Sequence, residues 1–196
     1  MKWEVRGMDK GSIVLYPGDI FFTRGTGLIS RAIRVCTRTI GESRTRVNHT
    51  GLIVTQARAC SALCVEALTT VKEHAFWHYS GTSDHVSVYR CTELSDVQRE
   101  QIAGKAREYT GRTYGFGKIA AHLADWVLCG AYVFRRLTDS DRYPICSWVV
   151  AHSYGKLGLH FGVKPGAATP DDIYDFVVEK HPEKYEEIIT LGPLGL

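Results

Sequence analysis

The chain has 196 residues, 44% of them hydrophobic and 23% charged, with a formal net charge of +3. That balance fits one globular domain with a sizeable core and excludes a long disordered chain. The cations are scattered, and the arginines from Arg31 to Arg46 read as a solvated helix face and its loop, so no nucleic-acid partner is expected.

The N-terminal segment MKWEVRGMDKGS has no apolar stretch of the signal-peptide kind, so synthesis in the cytoplasm without Sec export is expected. PGDIFF, from Pro17 to Phe22, reads as a turn entering a short strand, because Pro and Gly break the chain before an aromatic apolar run. GLISRAIRVCTR then carries Leu28, Ile29, Ala32, Ile33 and Val35 at helical spacing. Next, VNHTGLIVTQ and LCVEALTTV are two β-rich runs joined by ARACSA, the pattern of an antiparallel hairpin. A short helical piece with Phe76 and Trp77 and a third strand, His85 to Cys91, follow.

SDVQ at Ser95 has the form of a capping box and opens a helix running to Tyr109. The apolar stretch from Ile119 to Phe134 is interrupted by His122 and Asp125 and is too short for a bilayer span, so a buried helix is expected and no transmembrane segment. ICSWVVAHSYGKLG, preceded by Pro144, predicts another apolar helix. TPDDIYDFV combines a Thr N-cap, a first-position Pro and two early acids, a further helix start. The tail from Glu183 to Leu191 reads as a last strand.

Of the six cysteines, Cys146 stands at the predicted start of a helix. There, free backbone N–H groups and the helix dipole favour a thiolate and can hold an oxyanion. His49 lies on a strand beside Gly51, which leaves room next to the imidazole. Glu66 lies on the adjoining strand and falls near Gly51 and Leu52 if the hairpin turns at Arg58 to Cys60. One register turns Glu66 toward His49 as an orienting carboxylate, and the other turns it away. His74, His78 and His85 read as members of a polar connecting region. Cys60 and Cys64 are spaced CxxxC without a second pair, so no metal site and no cofactor are expected.

In order, GDIFF, a serine-bearing helix, NHTGLIV, VEALTTV, VSVYR, a helix and YPICSWVVAHSY resemble the circularly permuted branch of the papain-like NlpC/P60 superfamily. That branch includes the YiiX-like bacterial proteins and, more distantly, the lecithin:retinol acyltransferase group. The resemblance implies an α+β fold in which an antiparallel sheet or small barrel packs against helices. It implies one domain over residues 1–196, with its core at 17–178. It further implies Cys146 as nucleophile, His49 as base and Glu66 as orienting group, with Asp19 a structural residue near the site; Asp19 and, as a second oxyanion donor in the expected mechanism, Tyr16 are the residues expected at the substrate.

The expected activity is cysteine-dependent hydrolysis of an amide, in a peptide or cell-wall stem peptide, through a thioester and without a cofactor. Lipid acyl hydrolysis or transfer, and ligand binding without catalysis, are the alternatives. The expected partners are a peptide, a peptidoglycan fragment or a lipid. Delivery by a phage or a specialised secretion apparatus is the route outward that remains.

Overall fold

The computed structural model describes residues 13–25, 46–80, 85–115 and 144–191. The helices expected at GLISRAIRVCTR and from Ile119 to Phe134 lie outside them. The first described strand, β1 (Val14–Leu15), leads into a turn at Pro17 and Gly18. Asp19 N–H donates to the Tyr16 carbonyl across it at 3.1 Å. Gly18 has φ of 83°, which the third position of a turn with Pro at the second requires and a side chain resists. The turn delivers the chain into β2 (Ile20–Arg24).

Six strands form one antiparallel sheet. They are β2, β3 (His49–Ile53), β5 (Leu63–Ala67), β6 (Val71–Ala75), β7 (His85–Cys91) and β8 (Tyr185–Leu191), in the order β6-β5-β3-β2-β7-β8. A separate short ribbon joins β1 to β4 (Ala57–Arg58). The hairpin expected between β3 and β5 is present, as are the third strand and the last one. LCVEALTTV, however, is not one strand. It breaks after Ala67, where Leu68 N–H bonds the Thr70 carbonyl, and Val71 begins β6. The described sheet is open, with β6 and β8 at its edges, rather than a closed barrel.

Alternation along the strands explains the two cores. Ile20 and Phe22 of β2 pack in one apolar cluster with Leu52 and Val65 and with the helices, while Phe21 joins Ile53, Cys64, Phe76 and Tyr79 in a second. The helices over the first cluster start where local chemistry says they should. α1 (Asp96–Arg107) has the full Ser95–Gln98 capping box, and Ile102, Ala103 and Ala106 are buried along it. It ends before Tyr109, which sits in the following turn. α3 (Pro170–Asp175) has a reciprocal Thr169–Asp172 box and continues as one wide π-type turn, Phe176–Lys180.

Between them, α2 (Cys146–Gly155) is buried almost all round, from Cys146 through Ala151 and again at Ser153 and Tyr154. A helix apolar on every side must be a central element. It packs on β3, α1 and α3, and the Tyr154 hydroxyl donates to the Gly18 carbonyl at 2.6 Å, tying the helix to the turn before β2.

Candidate active site

The sheet register decides which side chains can meet. Leu52 pairs with Val65 and Ile53 with Cys64, which sets Glu66 opposite Gly51. Directly opposed residues share a face, so Glu66 stands on the same side as His49, two residues from Gly51 along β3. This is the register in which the carboxylate reaches the imidazole. Gly51 is the space that makes it fit: a Cβ there would lie 2.5 Å from Phe21 Cζ and 2.8 Å from the Val65 carbonyl oxygen.

Glu66 is fully buried, and three donors converge on it. His49 Nε2 and the Tyr79 hydroxyl both bond Oε2, and His74 Nε2 bonds Oε1. Burial on its own would raise this carboxyl; the His49 charge and the hydrogen bonds from His49, His74 and Tyr79 outweigh it and hold Glu66 well below the usual carboxylate range. A buried charge with this many donors is compensated rather than stranded.

Cys146 is the first residue of α2, behind Ile145, whose extended backbone (φ −107°, ψ 169°) turns the chain into the helix. Burial pushes its thiol up, but the His49 charge and hydrogen bond, with the backbone N–H groups of Thr50 and Ser147, reverse that and hold it below its ordinary value. Burial likewise opposes a charge on His49; the Cys146 thiolate and Glu66 overcome it and lift the imidazole from 6.5 to about 10. Both shifts run in the direction that favours a thiolate beside an imidazolium. With Nε2 taken by Glu66, Nδ1 is the ring nitrogen left to face Cys146. Cys146, His49 and Glu66 thus form a connected line.

Two further residues belong to the cluster. The Tyr114 hydroxyl, held up first by burial and then by the Cys146 charge, hydrogen-bonds Cys146. His74, read from the sequence as part of a polar connection, is instead on β6, and its bond to Glu66 raises its imidazole. Cross-strand pairing sets His74 opposite Cys64 and so beside Glu66. The pairing depends on the break of LCVEALTTV into β5 and β6.

Asp19 and Tyr16 stand apart from this line. Asp19 is fully buried and accepts from Arg90 Nε at 2.9 Å, Arg90 Nη2 at 2.7 Å, Arg99 Nη1 at 3.4 Å and Tyr16 N–H at 2.9 Å. Tyr16 lies under the Arg90 guanidinium, 4.3 Å from ring centroid to Cζ. These contacts brace the turn before β2 against β7 and α1, and none of them goes to Cys146, His49 or Glu66. His85, also read as part of the connection, is buried on β7.

The expectation that the cysteines hold no metal rested on Cys60 and Cys64. Cys60 is exposed, whereas Cys64 Sγ lies with donor atoms of Glu66 and His74 inside 4.8 Å. Among the described residues no helix is long and apolar enough to cross a membrane.

An open antiparallel sheet covered by a buried helix that presents a cysteine to a histidine and a carboxylate defines an α+β protein with a cysteine-centred site. No protein-family profile and no curated protein matches the chain. Among solved structures it is similar to one described as the metalloprotein yiiX from Escherichia coli O157:H7, DUF1105. The TM-score is 0.64 at 19% identity, over 91% of this chain and 98% of that one. The likeness establishes a shared YiiX-like fold.

Proposed function

We propose that the chain is a cysteine hydrolase cleaving an amide bond through a thioester, on a permuted papain-like fold of the NlpC/P60 type. The observation that carries this reading is the continuous contact from Cys146 through His49 to Glu66, with the cysteine in the first turn of α2. A buried thiolate–imidazolium pair is costly unless it is used or well compensated, and perturbed groups of this kind cluster at reactive sites.

The chemistry follows from the placement. The Cys146 thiolate attacks the carbonyl carbon, and the C–S bond forms as the carbonyl electrons move to oxygen. The first-turn N–H of α2 and the Tyr114 hydroxyl are the donors available to that oxygen. His49 gives its Nδ1 proton to the amide nitrogen as the C–N bond breaks, releasing an amine and leaving a thioester. It then takes a proton from water, which attacks the thioester and frees the acid and the thiolate. Glu66 holds the ring in orientation and supports its charge throughout. A peptide amide, such as that of a cell-wall stem peptide, is the substrate class we favour.

The test is incubation of the protein with peptidoglycan fragments and, separately, with phospholipids, read by mass spectrometry. New amine and acid termini from the peptides, absent with Cys146→Ala, are expected. Products from the lipids alone would replace the amide reading with acyl-lipid hydrolysis. Equal product from Cys146→Ala would sink the cysteine mechanism.

A further inference from the structure

The catalytic line uses one side of Glu66, and the other side faces a second set of donors. Cys64 Sγ lies 3.8 Å from His74 Nε2, and the same nitrogen bonds Glu66 Oε1. All three donor atoms lie within 4.8 Å of one another. Ligands about 2.3 Å (sulfur) and about 2.0 Å (nitrogen) from a tetrahedral zinc stand roughly 3.5 Å apart, so the Cys64–His74 spacing needs little change. The His74–Glu66 bond would open to admit the ion between them.

His74 is also oriented as a ligand. Its Nδ1 contacts the Ala75 carbonyl at 3.1 Å, the outer hydrogen bond that fixes a metal-binding imidazole with Nε2 pointing inward. Cys64 and Glu66 are fully buried while the His74 side chain is 24% exposed, so the set opens to solvent on the His74 side, at the sheet edge. Among the described residues no other donor group of three meets the same condition.

We infer that Cys64, Glu66 and His74 form a binding site for a zinc-class divalent cation that clips edge strand β6 to β5. Thiolate, imidazole and carboxylate together suit a borderline-soft ion rather than calcium or magnesium. Binding releases the Cys64 thiol proton and the His74 Nε2 proton to solvent, leaving a thiolate and a neutral imidazole as ligands, and a water completes four. Glu66 Oε1 goes to the cation while Oε2 stays on His49, so the ion touches the catalytic line only through that carboxylate. The ion is outside the hydrolytic steps, and the site stands whether or not the chain is a hydrolase.

The test uses the full chain carrying Cys146→Ser, which removes the reactive thiol as a competing ligand, with cobalt(II) and then zinc as probes. One equivalent of cobalt is expected to give a thiolate-to-cobalt charge-transfer band that zinc abolishes, and zinc is expected to raise the thermal midpoint. Adding Cys64→Ala is expected to remove the band, and adding His74→Ala to weaken cobalt binding by about tenfold or more. Circular dichroism checks that each variant is folded, and Cys64→Ser replaces Cys64→Ala if the latter is not. A missing band in Cys146→Ser, or a band that survives loss of the Cys64 thiol in a folded variant, overturns the site.

Discussion

Glu66→Gln tests the line from carboxylate to cysteine most directly. The substitution keeps the size of the side chain and an acceptor, but removes the charge on which His49, His74 and Tyr79 converge. The rise of His49 from 6.5 to about 10 corresponds to about 5 kcal/mol in favour of the imidazolium. Two negative neighbours produce it against burial, Cys146 and Glu66. Because burial opposes them, the two together supply more than this net, and losing the Glu66 share, the smaller of the two, is expected to remove about 2 kcal/mol or more and bring the His49 midpoint down by at least about one pH unit. The assay is NMR titration of the His49 Cε1–H resonance in the wild type, Glu66→Gln, Cys146→Ala and the double variant. Each single change is expected to lower the midpoint, and the double variant to drop below 6.5, where burial acts unopposed. The same charges matter to stability. A raised histidine contributes stability below its unfolded midpoint and loses it as pH climbs toward about 10. The depressed Glu66 contributes above its unfolded value of 4.5 and loses it as pH falls through its folded one. An unmoved His49 midpoint in Glu66→Gln would refute the electrostatic account and leave Glu66 a structural residue.

Gly51→Ala is expected to destabilise the fold by about 1–3 kcal/mol in urea denaturation, because the new methyl meets the Val65 carbonyl, a backbone atom that cannot step aside. Wild-type stability would show that β3 and β5 separate more easily than their register implies. Asp19→Ala leaves Arg90 and Arg99 without their buried partner and should cost about 3–5 kcal/mol. The alkylation rate of Cys146 by iodoacetamide in the folded fraction should not change, and a large drop would join Asp19 to the Cys146–His49–Glu66 line after all. Tyr79→Phe removes one donor from Glu66, a loss of about 1.5–3 kcal/mol by thermal unfolding, with the His49 midpoint rising rather than falling because the carboxylate's charge is less shared.

Much of the fold was legible because its signals are local. Ser95 with Gln98, and Thr169 with Asp172 behind Pro170, start their helices through side-chain bonds spanning three residues, so the sequence window contains the whole cause. The turn at Pro17 and Gly18 is of the same kind. The end of β5 is not: Leu68 to Thr70 carries no Gly or Pro, and the β-rich composition of LCVEALTTV runs straight through it. What breaks the strand is long-range, since Val71 N–H bonds the Arg112 carbonyl and Thr70 bridges Thr113 on the segment after α1.

That one hidden turn accounts for what was missed at the site. With LCVEALTTV as a single strand, His74 falls past its end and has no neighbour to meet; with the turn at 68–70, β6 runs back along β5 and His74 lands opposite Cys64. The Glu66 register was open for a related reason, because parity depends on the residue at which the β3–β5 connection closes, and the small residues of ARACSA allow more than one closure. The structure closes it so that Val54 N–H bonds the Leu63 carbonyl and the Thr55 hydroxyl accepts from Leu63 N–H. Slipping the pairing by one residue would place Glu66 on the opposite face, in the apolar cluster around Val65 and Ala67, with none of its three donors. A buried carboxylate without partners costs several kcal/mol, more than any single turn preference supplies. The same bonds that make Glu66 useful to His49 therefore also fix the strand register that brings the two together.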